Sequence, residues 1–507
     1  MFVREKKNTT GTISVQVIDK SRGKYRVIKT IGSSADQNQI AAYVTQGQHY
    51  IVKHSKQVSL DFQLGDDAHF YNTVYENIQS MQLLGPELVL GKLFNEIGFN
   101  QIKDELFRHL VITRLIYPVS KLKTLDYLLK YKGIVYEKDR VYRYLDKLHE
   151  AEQIKLAKQI SYTHTVKVLK TDVSIVFYDV TTLYFESEEE DDLRKIGFSK
   201  DGKHQQPQIV LGLLVSAGGY PLDYEIFEGN KFEGHTMLPV IEAFKKDRQL
   251  ERLIIVADAG LMSNKNITQL VENNYEFIIG ARIKNETKEL QKQIFSQLLE
   301  DGESISFNKT DNLRLIVSYS NSRANNDEHN RKRGLIKLEK AIGKGKLTKQ
   351  HINNKGYNKY LKLTGDLIVE IDYDKYNADK KWDGLKGYIT NTQLDKEKII
   401  DHYKQLWQIE KTFRISKTDL RIRPIYHQLK KRIEAHICIA FVACKIYKEL
   451  ERQLKEKESK LSPEKVIDIL KTIYGIYLKL PHSKQTKLML LDKTQEQKQI
   501  LALFNAI

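Results

Sequence analysis

The 507-residue sequence has only two cysteines, Cys438 and Cys444, close together in one apolar stretch. Neither a disulfide framework nor a cysteine-based zinc site can be built from them, so core filling in a reducing compartment is their expected role. Prolines are also few, eight in all, and the 41% hydrophobic content is ample for a packed core. A largely disordered chain is therefore excluded. Long apolar runs are missing: the longest, such as residues 437–444, fall far short of the ~20 residues a membrane helix needs. The opening MFVREKKNTT lacks an apolar signal segment, and no Trp-bearing amphipathic stretch offers a membrane-surface anchor. The expectation is a cytoplasmic protein with no membrane partner. GKGKL lacks the spacing and the Ser/Thr of a phosphate-binding loop, and no internal repeat is visible.

What the sequence has in excess is positive charge. Lys and Arg number 82 against 65 Asp and Glu, a formal charge of +17. Such an excess favours a polyanionic partner, because each phosphate neutralised releases a condensed counterion. Nucleic acid is the expected partner class.

Residues 1–80 read as a hairpin followed by helix, with ISVQVID and YRVIKTIG joined by a KSRGK turn. From 81 to 168 helical periodicity is continuous, in ELVLGKLFNEIG, KDELFRHLVITRLI, SKLKTLDYLLKYKG and KDRVYRYLDKLHE. These basic helices suit either a DNA-binding unit of the helix-turn-helix kind or a bundle that supports the next domain. The segment 169–282 changes character. VSIVFYDV and RLIIVADAG are nearly continuous apolar runs, the mark of strands covered on both faces. QIVLGLLVS and YPLDYEIFEG flank Gly218-Gly219 as a hairpin, HTMLPVIEAFKKDR reads as a helix, and Ser263 caps another helix before the strand YEFIIGAR. The order strand, strand, strand, helix, strand, helix, strand predicts an α/β fold with a ribonuclease H-like mixed-sheet catalytic core. Residues 283–391 read as a polar, β-rich insertion subdomain with one very basic helical piece. A long helix from about 395 to 418 lies within the core segment 392–425, and a helical, basic tail occupies 426–507.

Two acidic residues close apolar strands, Asp179 in FYDV and Asp258 in VADAG. In the expected fold these strands are neighbours, which brings both carboxylates to the same end of the sheet. An acid at the end of an apolar strand is costly to bury without a partner and so requires a reason. Phosphodiester cleavage supplies one: two divalent ions ~3.5–4 Å apart activate the attacking oxygen and stabilise the leaving one, and hard Mg²⁺ prefers carboxylates. For either aspartate alone, a helix cap or turn role is the competing explanation. Asp172, Glu186, Asp191, Asp192, Asp223 and Glu225 are rivals, most of them in polar loops or at hairpin ends.

The third carboxylate is expected from YKQLWQIEKTFRISKTDL. At helical spacing Leu406, Ile409, Phe413 and Leu420 form a stripe facing the sheet, and Tyr403, Trp407, Glu410, Arg414 and Lys417 form an adjacent one. Glu410 thus stands among cations and aromatics that suit phosphate contact and base stacking. A surface helix laced with ion pairs such as Glu410–Arg414 is the competing reading.

FYDVTTLYFE, GFSKDGKHQQPQIVLGLLV, VADAGLMSNKNI, YITNT and the Tyr403–Lys417 segment, with RPIYH downstream, together resemble the DDE insertion-sequence transposases of bacteria. More narrowly the pattern resembles the type-1 branch with a tyrosine–arginine–glutamate–lysine (YREK) signature, across roughly residues 85–445. The resemblance implies a metal-binding catalytic triad of Asp179, Asp258 and Glu410, two Mg²⁺ or Mn²⁺ ions, and cut-and-paste transposition. It implies that Tyr403 and Lys417 contact phosphates near the transposon end. Leu406 holds the signature's arginine position, and Arg414 is its expected substitute. Trp407 or an aromatic of the insertion is expected to stack on a flipped base. The partners implied are the transposon ends and target DNA in the nucleoid, bound by a homodimer. The same residues also fit a nuclease without strand transfer, or a DNA-binding derivative whose site has decayed.

Overall fold

The computed structural model describes residues 1–20, 23–54, 74–150, 152–170, 173–261, 263–353, 355–364, 368–480, 483 and 485–506. Asp172, one of the acidic rivals, lies outside them. The chain divides into two compact units, one of residues 1–78 with 478–485 and one of 79–477 with 486–507.

In the first unit the hairpin read from the sequence is part of a three-stranded antiparallel sheet. β1 (Phe2–Lys7), β2 (Ile13–Asp19) and β3 (Arg26–Ser34) lie in the order β1-β2-β3, and α1 (Gln37–His54) packs on β2 and β3. Val15, Val17 and Ile18 of the middle strand are fully buried.

The second unit takes in β4 (Ile78–Leu83) and five helices: α2 (Lys92–Ile97), α3 (Glu105–Ile116), α4 (Lys121–Lys132), α5 (Lys138–Glu150) and α6 (Gln153–Leu169). The strand-rich stretch follows in the expected order. It comprises β5 (Ile175–Tyr184), β6 (Gln208–Ser216), β7 (Pro221–Glu228), α7 (Met237–Arg248), β8 (Ile254–Ala257), α8 (Asn264–Glu272) and β9 (Glu276–Ala281). Ser263 caps α8, its side chain accepting from the Asn266 amide at 3.2 Å. Gly219, at φ +74°, makes the turn between β6 and β7. Downstream come α9 (Lys288–Ser296), β10 (Ser304–Thr310), β11 (Leu313–Tyr319), α10 (Asn321–Gly343), β12 (Leu361–Thr364), β13 (Ile368–Ile371), α11 (Tyr373–Asp379) and β14 (Leu385–Thr390).

The result is a mixed α/β architecture around an eight-stranded mixed sheet of order β10-β11-β14-β9-β8-β5-β6-β7. β8 runs parallel to both β5 and β9, and the other pairings are antiparallel. The segment 283–391 is therefore not set apart as the sequence suggested. β10, β11 and β14 extend the main sheet, and only the β12-β13 pair with α10 and α11 gathers on a small core of its own, around Leu338, Tyr360, Leu361 and Ile371. The central strands alternate between two cores. Phe177, Leu183, Leu211, Leu213, Ile254 and Val256 face one side, and Val176, Tyr178, Val180, Leu214, Ile255 and Ala257 face the other.

The single long helix expected over 395–418 is two helices and a wider turn: α12 (Lys396–Lys404), α13 (Trp407–Arg414) and a π-turn over Ile415–Asp419. Tight bonds at the junction, Leu406 N to Tyr403 O at 3.1 Å and Gln408 N to Gln405 O at 2.9 Å, interrupt the α-helical ladder. The break lets α12 pack on β9 and β10 while α13 packs on β5 and β6. The C-terminal stretch is no peripheral tail. α14 (Lys430–Glu456) is buried continuously over residues 435–450 and packs on α2, α3, α5, α6 and β7. A helix that is apolar around its circumference, as IEAHICIAFVACKIY is, must find cover on all sides. Cys438 and Cys444 are free and buried in it. The chain ends with α15 (Pro463–Leu470), β15 (Tyr474–Lys479), β16 (Thr486–Leu490) and α16 (Gln495–Leu503), the two strands joining β4 in the order β16-β15-β4. No helix among the described residues is long and apolar enough to cross a membrane.

Candidate active site

Asp179 lies within β5 rather than at its end, because the strand continues to Tyr184. Its neighbour β8 stops at Ala257, which pairs with Tyr178, so Asp258 comes alongside Asp179 where the parallel ladder ends. The parity of both strands then sets their direction. Asp179 continues the face of Phe177, and Asp258 continues that of Ile254 and Val256. The same core receives Leu406, Ile409 and Phe413, each less than a tenth exposed. Burying these three contributes roughly 1.5–3 kcal/mol apiece and seats α13 on the face that carries the two aspartates.

Around Asp179 the charges are mixed. Its carboxylate accepts from the Val180 amide at 2.7 Å. Lys200 Nζ donates to the Val180 carbonyl at 2.7 Å and pairs with Glu233 Oε1 at 3.0 Å. Burial pushes the Asp179 carboxyl up to about 6; Lys200 and the Val180 amide oppose this, while Glu233 and Asp258 add to it. Asp258 is exposed and moves the other way. Burial works to raise its pKa, but the Tyr403 hydroxyl, the Ala259 and Gly260 amides and Lys386 outweigh that and hold it below the usual range. Two adjacent carboxylates are thus pushed apart in acidity, one protonating near neutrality and the other remaining ionised.

Tyr403 is the clearest contact between α12 and this pair. Its hydroxyl donates to Asp258 Oδ1 at 2.9 Å, its ring meets that of Tyr388 edge-on at 4.9 Å, and Lys386 Nζ lies 5.1 Å from the ring centre. Gly280 in β9 makes the approach possible, since a Cβ there would stand 2.4 Å from the hydroxyl. At the other end of the stretch, Lys417 Nζ is 3.7 Å from Asp201 Oδ1, and Arg423 pairs with the same carboxylate. Burial lowers the Lys417 pKa, Asp201 and Asp179 opposing.

Between those ends, Trp407 is 52% exposed with Lys411 Nζ 5.8 Å from its ring. Glu410 and Arg414 are exposed, and among the described residues neither side chain has an ion-pair or hydrogen-bond partner, so the Glu410–Arg414 pair does not form. The structure therefore brings Asp179 and Asp258 together and attaches Tyr403 and Lys417 to their surroundings. Glu410 is exposed on the helix whose apolar side packs into that core, and it is not grouped with the aspartates. Among the described residues no three His, Cys, Asp or Glu side chains form a group that could hold a metal ion. The two aspartates by themselves are suitable oxygen donors for a hard divalent cation.

The rivals are accounted for elsewhere. Asp223 is buried rather than solvated, paired with Lys158 at 2.8 Å, and Glu225 is 3.9 Å from the same lysine. Asp191 holds Arg194 at 2.7 Å, and Glu186 and Asp192 are exposed. Lys200, Asp201, Glu233 and Lys386 were not singled out from the sequence. Lys200 and Asp201 lie in the GFSKDGKH stretch, whose density of polar groups between two apolar strands was the available signal.

The fold and site define an α/β protein with an acidic pair at the end of a parallel strand ladder, ringed by lysine, arginine and tyrosine. Residues 170–444, more than half of the chain, match the family described as a transposase DDE domain, and the chain belongs to that family. No curated protein matches it in sequence. Among solved structures, it is similar to one titled the cryo-EM structure of piggyBac transposase synaptic complex with hairpin DNA, at 9% identity over 79% of each chain and a TM-score of 0.36. It is also similar to one titled the Mos1 transposase paired-end complex with left transposon end. There the identity is 12% over 46% of this chain and 66% of that chain, with a TM-score of 0.16.

Proposed function

We propose that this chain is a DNA transposase of a bacterial insertion sequence, working on the nucleoid, that binds transposon ends and moves them by cut-and-paste. The observation that carries the reading is the placement of Asp179, Asp258 and the Glu410 helix on one face of a ribonuclease H-like order of strands. Asp179, Asp258 and Glu410 would hold two divalent cations, Mg²⁺ or Mn²⁺. When bound, these ions polarise the phosphodiester and lower the pKa of the attacking water or hydroxyl. Tyr403 orients the Asp258 carboxylate, and Lys200 holds the backbone beside Asp179. Trp407, Arg414 and Lys417 provide a stacking surface and two cations for the DNA strand, and the unpaired Arg414 takes the place of the arginine that buried Leu406 cannot supply. Positioning and charge neutralisation supply the rate. The helices of 81–168 and the basic helix of 283–391 hold the element's ends, which a homodimer brings together.

The test is cleavage of a labelled fragment carrying the DNA that flanks the coding region, with Mg²⁺. Asp179→Asn is expected to abolish cutting and leave end binding intact. A variant that still cuts sinks the assignment. Joining of pre-cut ends to a target separates a transposase from a nuclease that only cuts, and metal-dependent nicking separates both from a decayed derivative.

A further inference from the structure

A cleft of about 580 Å³ opens between the end of α3, the start of α4 and the segment 421–427. Arg114, Lys121, Lys123, Arg421, Arg423 and His427 line it, and no aspartate or glutamate does. Two of these cations are almost wholly buried, Arg114 at 5% exposure and Lys121 at 4%. Among the described residues Arg114 donates only to the Leu420 carbonyl, at 3.5 Å, and the Lys121 ammonium has no hydrogen-bond or ion-pair partner. Among the described residues, of these cations only Arg423 has its charge met, by Asp201. Burial, and then the neighbouring Arg114, hold the Lys121 pKa well below its usual range, and an anion bound in the cleft would favour its charged form. The first turn of α4 adds unsatisfied amides and the positive end of a twelve-residue helix, with Ser120 as its cap. His427, pushed down to about 4 by burial and by Lys121, adds no charge of its own.

We propose that this cleft is a phosphoryl-binding site, occupied by a backbone phosphodiester of DNA outside the carboxylate site. Tyr142 and Tyr426 border it, the latter 65% exposed, as a surface for sugar and base. Arg423 of the cleft shares the Asp201 carboxylate with Lys417, which ties the cleft to the surroundings of the acidic pair. The inference rests on the DNA reading above for its source of phosphate, but it needs neither metal nor cutting.

The test uses the full chain without divalent metal. Inorganic phosphate is expected to raise the thermal unfolding midpoint of the wild type and to leave that of Lys121→Met unchanged. For duplex DNA, Lys121→Met is expected to flatten the slope of log K against log salt by about 0.9, one phosphate contact. Should Lys121→Met not fold, Lys123→Ala with Arg421→Ala, both exposed, carries the same slope measurement. Phosphate protection with an unchanged DNA slope would overturn the DNA assignment in favour of a free anion. Neither effect would overturn the site. Cleavage that survives Asp179→Asn would sink the triad and not this cleft, whereas an unchanged slope and no phosphate protection, with normal cutting, would sink the cleft alone.

Discussion

Gly280 and Tyr403 offer a double-mutant test of how the helix after the sheet is seated on Asp258. A methyl at position 280 would stand 2.4 Å from the Tyr403 hydroxyl and 3.1 Å from the ring carbon bearing it. In the wild type, Gly280→Ala must therefore push the hydroxyl away by about an ångström, and such overpacking costs ~2 kcal/mol. Tyr403→Phe removes the oxygen and keeps the ring against Tyr388, losing one hydrogen bond to an exposed carboxylate, worth about 0.5–1 kcal/mol. In the Tyr403→Phe background the added methyl meets the ring carbon and, at 3.2 Å, the Ala259 Cβ, and Gly280→Ala should cost less than about 1 kcal/mol. The expected coupling is then about 1–2 kcal/mol, read from urea midpoints of the four proteins at constant slope. Additivity to within ~0.5 kcal/mol would refute the reasoning, because it would mean the hydroxyl does not occupy the space above Gly280.

Asp379 accepts from Lys284, Lys359 and Tyr360, and although burial works to raise its pKa these partners together hold the carboxyl down to about 2. A carboxyl whose folded pKa is depressed contributes stability that is present above its unfolded pKa and lost as pH falls toward the folded value. Stability should therefore drop by about 2 kcal/mol between about pH 4 and pH 2, and Asp379→Asn should remove most of that dependence, measured by urea titration across the window. Burial raises the thiol of Cys438 to about 12 and that of Cys444 to about 11. A colorimetric disulfide reagent is expected to label neither in the native protein and both in denaturant; rapid native labelling would contradict the buried placement of the C-terminal helix.

The parts of the site that were legible in the sequence are those set by neighbours along the chain. FYDV and VADAG announce apolar strands that carry or precede an acid, because continuous apolar runs suit doubly covered strands, although only Asp258 stands at a strand end and Asp179 lies within β5. Ser263 marks a cap because its side chain reaches an amide three residues on, and Gly218-Gly219 marks a turn because glycine without a Cβ accepts a positive φ. Lys200 and Glu233, which flank Asp179, were not legible, since loops carry no periodicity that would aim a side chain. Asp223 reads as a solvated hairpin residue and is instead buried, because Lys158 of a distant helix meets it.

By itself the sequence determined that this is a basic chain with a packed core, an α/β order of strands and helices, and three acids spaced through it, because composition and periodicity act locally. Tertiary structure alone decided that β10, β11 and β14 join the main sheet, that residues 405 and 406 break the helix, and that α14 becomes a hub rather than a tail. It also decided which carboxylates share a neighbourhood and which basic side chains gather around one cleft. The physical reason is that hydrophobic cover and countercharge are supplied by whatever packs nearby, and residues remote in sequence supply most of it.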